Sequence, residues 1–178
     1  MPDATPDRSL EDRLRAIEDR LEIYNLIASH PPSADTAADF YTEKVYMADG
    51  EFDRGAGLSS AVGAVAVGAI TQTPAHRQAI ADGIAHFPGL PIVDIYGDSA
   101  IVTSYLQLLY PDKQGEAREL ANHGVSQGYR VHRVVANRWE LVRTPDGWKI
   151  AKRTLRPLDS SPEGRDILRA ALEKYRDR

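Results

Sequence analysis

The sequence predicts an α+β domain, and three observations predict it. Apolar residues recur at three- and four-residue spacing near the start of the chain. From residue 91 onward the pattern changes to strand-like runs parted by tight turns, Gly97-Asp98 and Pro145-Asp146-Gly147. A last amphipathic stretch then closes the chain. Helices followed by a block of antiparallel strands describe such a domain. A curved antiparallel sheet wrapped over helices leaves a hollow on its concave face, where a small ligand can sit.

Taken in order, residues 1–8 are expected to form a disordered lead, leaving one domain over residues 9–178. Ser9 is placed to cap a helix, with Asp12 three residues on as an imperfect capping box. Leu10, Leu14, Ile17, Leu21, Tyr24 and Ile27 form one apolar stripe along it. Pro31-Pro32 is expected to end this helix, because proline cannot continue the backbone ladder. Asp35 then falls in a short loop, and a second helix fits Ala37 to Met47. Asp49-Gly50 reads as a turn before a strand at Glu51 to Asp53, with Leu58 to Val62 pairing back across Gly55-Ala56-Gly57. Residues 63–85 read as helical, interrupted near Pro74. Pro91 to Tyr96 and Ser99 to Tyr110 make a hairpin, and Pro111 to Glu119 is a polar connection. A long strand from about Gly128 to Thr144 pairs with a last strand, Trp148 to Arg156. Ser161-Pro162-Glu163 opens the final helix, with Ile167, Leu168, Leu172 and Tyr175 on one face.

Composition narrows the function. The chain has no cysteine, which removes disulfides, thiol nucleophiles and thiolate metal sites, and suits a cytoplasmic location. A formal net charge of −4 argues against nucleic acid as a partner. The first residues are acidic and lack an apolar core, unlike a signal peptide, and the longest apolar stretch, Ala61 to Ile70, is too short to span a membrane. Apolar residues make up 42% of the chain, enough for a core without metals.

The long strand has two faces by parity. Val131, Val135, Trp139 and Leu141 share one, with Asn137 among them; His132, Arg138 and Glu140 lie on the other. An amide on an apolar face needs a partner or a ligand, since leaving it unpaired costs roughly 1–3 kcal/mol. A structural asparagine bonded to a loop satisfies the same requirement. The five histidines, His30, His76, His86, His123 and His132, show no metal-binding spacing. His86 is notable for its place between a helix and Phe87-Pro88, where the chain enters the sheet. Asp35, taken by itself, reads as an N-cap for the second helix.

The ending RWELVRTPDGWKIAKRTLRPLD resembles the last hairpin of the SnoaL-like, ketosteroid-isomerase-like (nuclear transport factor 2-like) superfamily, and the order of elements matches over about residues 9–175. The resemblance is to the scytalone dehydratase and lindane dehydrochlorinase type of lyase. It implies a cone-shaped alpha-beta barrel roll and a cofactor-free proton abstraction, with no metal. It also implies site residues: Asp35 in SADT supporting a histidine base, His86 in AHF as that base, and Arg153 in WKIAKR and Asn137 in VVANRW as charge-stabilising groups. Phe52, Arg54, Tyr110, Val135 and Trp139 are the implied substrate-binding residues. The chain departs from scytalone dehydratase at Ala34 and Arg54, where that type has tyrosines, and lacks its second pocket histidine near Tyr110. An isomerase using Asp53 or Asp94 as base, or a non-catalytic binding protein, are the alternatives. A homodimer or homotrimer, formed through the outer sheet face around Val134 and Val142, is also expected.

Overall fold

The computed structural model describes residues 9–55 and 57–176, so the expected lead at 1–8 and Ala56 of the Gly55-Ala56-Gly57 turn lie outside the described residues. Helix α1 runs Leu10–Asp35, capped by the Ser9 hydroxyl, which accepts from the Asp12 N–H at 3.1 Å. It does not stop at the two prolines. Pro31 and Pro32 withhold two N–H donors, but the ladder resumes beyond them: the Thr36 N–H donates to the Pro32 carbonyl at 3.1 Å, and the Thr36 hydroxyl donates to the same oxygen at 2.6 Å. Asp35 is therefore the last residue of a rigid helix and not a loop residue. The expected stripe is also only partly the buried face. Leu10, Leu14, Ile17 and Leu21 are exposed, while Asp19, Ile23, Leu26 and Ile27 face inward.

Helix α2 is Asp39–Val45, shorter than expected, and strand β1 follows at once as Tyr46–Asp53. Asp49-Gly50 is not a turn. It lies in a bulge, where β1 takes five steps from Tyr46 to Glu51 against two on its neighbour. A Cβ on Gly50 would stand 2.8 Å from the Ile150 carbonyl oxygen, so the close approach needs glycine. Strand β2, Ala61–Val62, folds back on β1. Helices α3, Ala64–Ile70, and α4, Pro74–Ala81, fill the predicted helical segment, with Pro74 in the first turn. Gly83, at φ 88°, ends α4 in a Schellman arrangement and delivers the chain to β3, Ala85–Pro88.

Strands β4, Ile92–Tyr96, and β5, Ser99–Pro111, form the expected hairpin. A small hairpin, β6 Arg118–Leu120 and β7 Gly124–Ser126, begins at the end of the expected polar connection and lies mostly beyond it. Strands β8, Tyr129–Thr144, and β9, Gly147–Pro157, are the long final pair, and α5, Glu163–Ala170, packs on them. The main sheet runs β2-β1-β9-β8-β5-β3, with β4 sharing the β3 edge of β5. It is mixed and not wholly antiparallel: β1 pairs with β9 in parallel, since the chain returns to β1's flank only after the whole meander.

The core fills the concave side. Ile23, Leu26 and Ile27 of α1 pack on Val102, Trp139, Leu141, Trp148 and Ile150 of the sheet. Each such side chain stabilises by roughly 1.5–3 kcal/mol on burial. The parity reading holds from Val135 to Leu141. It fails for Val131, which is 55% exposed, because a bulge between Arg133 and Val131 shifts the register against β5. Among the described residues no helix is long and apolar enough to cross a membrane.

Candidate active site

Beyond the end of that core the helices and the sheet part, leaving a cavity of about 190 Å³. Its apolar wall includes Phe52, Ile70, Ile84, Leu106, Leu108 and Val135, drawn from both layers. A cavity of about 150 Å³ is enough for benzene, so this one admits a single substituted ring.

His86 reaches this wall from β3, the edge strand, whose outward backbone N–H has no neighbouring strand. Asp35, at the end of α1, supplies the partner. One carboxylate oxygen accepts from the His86 backbone N–H at 3.0 Å, and the other meets His86 Nδ1 at 2.6 Å. A carboxylate there fixes the tautomer: Nδ1 carries the hydrogen, and Nε2 is left as the basic nitrogen. Nε2 makes no hydrogen bond among the described residues, and the ring lines the cavity. The N-cap reading of Asp35 is not what the geometry has; α2 is preceded by Ala38 with no side-chain cap.

A second cluster surrounds Arg153 of β9, which is 1% exposed. Its guanidinium lies between two aromatic faces, 4.1 Å from the Trp139 ring centroid and 4.6 Å from that of Phe52. Nε donates to Asn137 Oδ1 at 3.0 Å and Nη1 donates to His30 Nε2 at 2.5 Å, while Nη2 has no partner. Both partners are neutral. Burial pulls the Arg153 pKa down to about 10, and burial, with Arg153 next, holds His30 well below its ordinary value. Tyr46, at the start of β1, also lines the cavity. Its buried hydroxyl faces the Arg153 guanidinium without a hydrogen bond of full geometry, and its pKa is pushed up to about 12, burial outweighing that arginine's attraction and weak hydrogen bonding.

The structure brings Asp35, His86, Arg153, Phe52, Arg54 and Val135 to this region, Asp35 standing behind His86 and the others on the wall. Asn137 and Trp139 were expected on the cavity and are not: both lie beneath Arg153 and position it. Tyr110 is absent from the wall; its ring meets His132 edge-on at 5.5 Å. Asp53 and Asp94, the carboxylates of the isomerase alternative, are paired with Arg156 and Lys174 and line no part of the cavity. Sequence reasoning passed over His30, His76, Tyr46 and Arg133, all on the wall. His76 Nε2 donates to the Ala34 carbonyl at 2.8 Å, and its ring centroid is 6.5 Å from that of His86. Among the described residues no group of three or more His, Asp or Glu side chains is placed to share a metal ion.

Comparison with known proteins follows the same lines. Residues 15–154, most of the chain, match the SnoaL-like domain family. A nuclear transport factor 2-like protein with a cystatin-like fold from Novosphingobium aromaticivorans is 35% identical, with a TM-score of 0.78, the match covering 94% of this chain and 98% of that one. A candidate aromatic ring hydroxylase from the same organism is 25% identical, with a TM-score of 0.57, over 83% of this chain and 96% of its own. A candidate dehydratase of the nuclear transport factor 2-like family from Streptomyces avermitilis shares the fold at 17% identity and a TM-score of 0.56, over 79% and 97%. No protein of curated function matches the sequence. The chain belongs to the SnoaL-like domain family of the nuclear transport factor 2-like superfamily.

Proposed function

We propose that this protein is a cofactor-independent lyase acting on a small aromatic or alicyclic molecule, with the Asp35–His86 pair as its general base. One observation supports this above the rest: Asp35 holds both the ring and the backbone of His86, leaving Nε2 free on the wall of a ring-sized cavity. Histidine is the side chain whose ordinary pKa suits removal of a carbon-bound proton near neutrality. Nε2 takes that proton, and the C–H electron pair forms a double bond as the bond to a neighbouring oxygen breaks. The departing oxygen takes a proton from the imidazolium and leaves as water, which restores the base. Asp35 steadies the imidazolium while it exists. Arg153 Nη2 and the Tyr46 hydroxyl are donors for negative charge on the substrate.

The test is dehydration of β-hydroxy ring ketones, followed as enone absorbance, in the wild type, His86→Ala and Asp35→Asn. Each variant is expected to lose turnover by a factor on the order of 10³ to 10⁴. Near-normal turnover by folded Asp35→Asn would dismiss the pair as a catalytic unit.

A further inference from the structure

The wall of the cavity carries a lopsided charge. Arg54, Arg133 and Arg153 line it, together with His30, His76 and His86, and among the described residues no aspartate or glutamate does. This is a local feature, because the chain as a whole is acidic, with 26 Asp and Glu against 22 Lys and Arg. Arg54 is held at the rim by the carbonyl and hydroxyl of Ser59. The Arg133 guanidinium has no hydrogen bond or ion pair among the described residues.

The deep end is more telling. Arg153 is a fully buried cation whose hydrogen-bond partners, Asn137 and His30, are both neutral. Buried charges are ordinarily paired. Beside it, Arg153 Nη2 and the Tyr46 hydroxyl, both buried and both belonging to wall residues, face each other and have no other partner among the described residues, so the hydroxyl hydrogen is left to donate. Two converging donors beside an unbalanced cation make a seat for two acidic oxygens, and a carboxylate meets a guanidinium in that fashion.

We infer that the ligand of this cavity is a small one-ring carboxylic acid, bound as its anion with the carboxylate between Arg153 and Tyr46. The inference rests on the lyase reading only in using the same cavity, and it makes a different demand. A lyase needs donors for charge that develops during reaction; a buried arginine without a counter-ion calls for charge already present on the ligand.

The experiment is isothermal titration of the full chain with benzoate and with benzamide, its uncharged isostere. Benzoate is expected to bind at least tenfold more tightly, in keeping with a charge-assisted pair that the amide cannot form. Arg153→Met should erase that preference. Tyr46→Phe removes only a hydroxyl and should fold normally, and it should weaken benzoate by roughly tenfold and benzamide by less. The preference should hold from pH 6 to pH 9, since Arg153 stays charged there. A preference that fades within that range would mean that the arginine is not the charge that holds the carboxylate, and would overturn the inference. Equal binding of acid and amide, no measurable benzoate binding, or an unchanged benzoate affinity in Tyr46→Phe would each overturn it too. Binding is read without turnover, so the two readings fail separately. An inactive protein that prefers benzoate contradicts only the lyase, and one that dehydrates neutral substrates without that preference contradicts only the acid site.

Discussion

Two arginines on the same pair of strands stack on tryptophans and yet serve different ends. Arg143 on β8 lies over Trp148, its partner across the β8–β9 ladder, at 4.5 Å from the ring centroid. Arg153 on β9 lies over Trp139, likewise its cross-strand partner, at 4.1 Å. Arg143 is satisfied. It grips both oxygens of buried Asp19 and one of Asp98, and these carboxylates push its pKa up. Arg153 has no carboxylate, keeps one NH₂ group without a partner, and has its pKa pulled down. One end of the hairpin is closed by charge pairing and clasps α1 to the sheet. The other is left electrostatically incomplete beside a cavity. A fold that can pair an arginine fully at one end and does not do so at the other marks the second end as the place for a ligand.

The largest effect that would break this contrast comes from Arg143→Met. It strands the Asp19 carboxylate, which keeps only the Trp148 indole N–H at 3.2 Å, and it is expected to cost about 3 kcal/mol in denaturant unfolding. A loss below about 1 kcal/mol would mean that the clasp is not structural.

The two ends should also fail at different acidities. His30, held neutral beside Arg153, has a folded pKa well below its ordinary value. The unfolded chain therefore binds the extra proton first, and stability should begin to fall as pH drops below about 6.5. Asp19 has its folded pKa lowered, chiefly by its hydrogen bond to Arg143. Its contribution is intact above about pH 4 and is lost as pH falls through its folded value. Unfolding free energies measured across this range should show two declines, and His30→Gln should remove only the upper one. The smallest effect belongs to Asp98→Asn. The Asp98 carboxylate is 81% exposed, so its bond to Arg143 should be worth no more than about 1 kcal/mol.

Much of this was legible in the sequence because it is local. Turn chemistry marked Gly97-Asp98 and Pro145-Asp146-Gly147, and strand parity put Asn137 and Trp139 on the buried side. What parity does not carry is reach. A long side chain from the neighbouring strand, Arg153, covers Asn137 and takes the place on the wall that the amide was expected to have. The prolines of α1 misled because helix breaking is a penalty that tertiary packing can offset; Pro31 is buried. His30 could have been found by its place on that helix, one turn before Ala34 and close to Asp35, had the helix been read through the prolines. His76, Tyr46 and Arg133 had no such signal. They come from α4, β1 and β8 to one cavity wall, a convergence that no spacing along the chain records.

The contrast between the two arginines comes to its sharpest test at Tyr46, through the thermal unfolding of Tyr46→Phe with and without benzoate. A buried hydroxyl that awaits a ligand is a liability in the empty protein, costing roughly 1–3 kcal/mol when unpaired. The account predicts that Tyr46→Phe is about 1 kcal/mol more stable than the wild type without ligand, and that benzoate raises its midpoint far less. A variant destabilised by about 1 kcal/mol or more, with the full benzoate-induced rise retained, would show that the hydroxyl serves the fold and contradict the account.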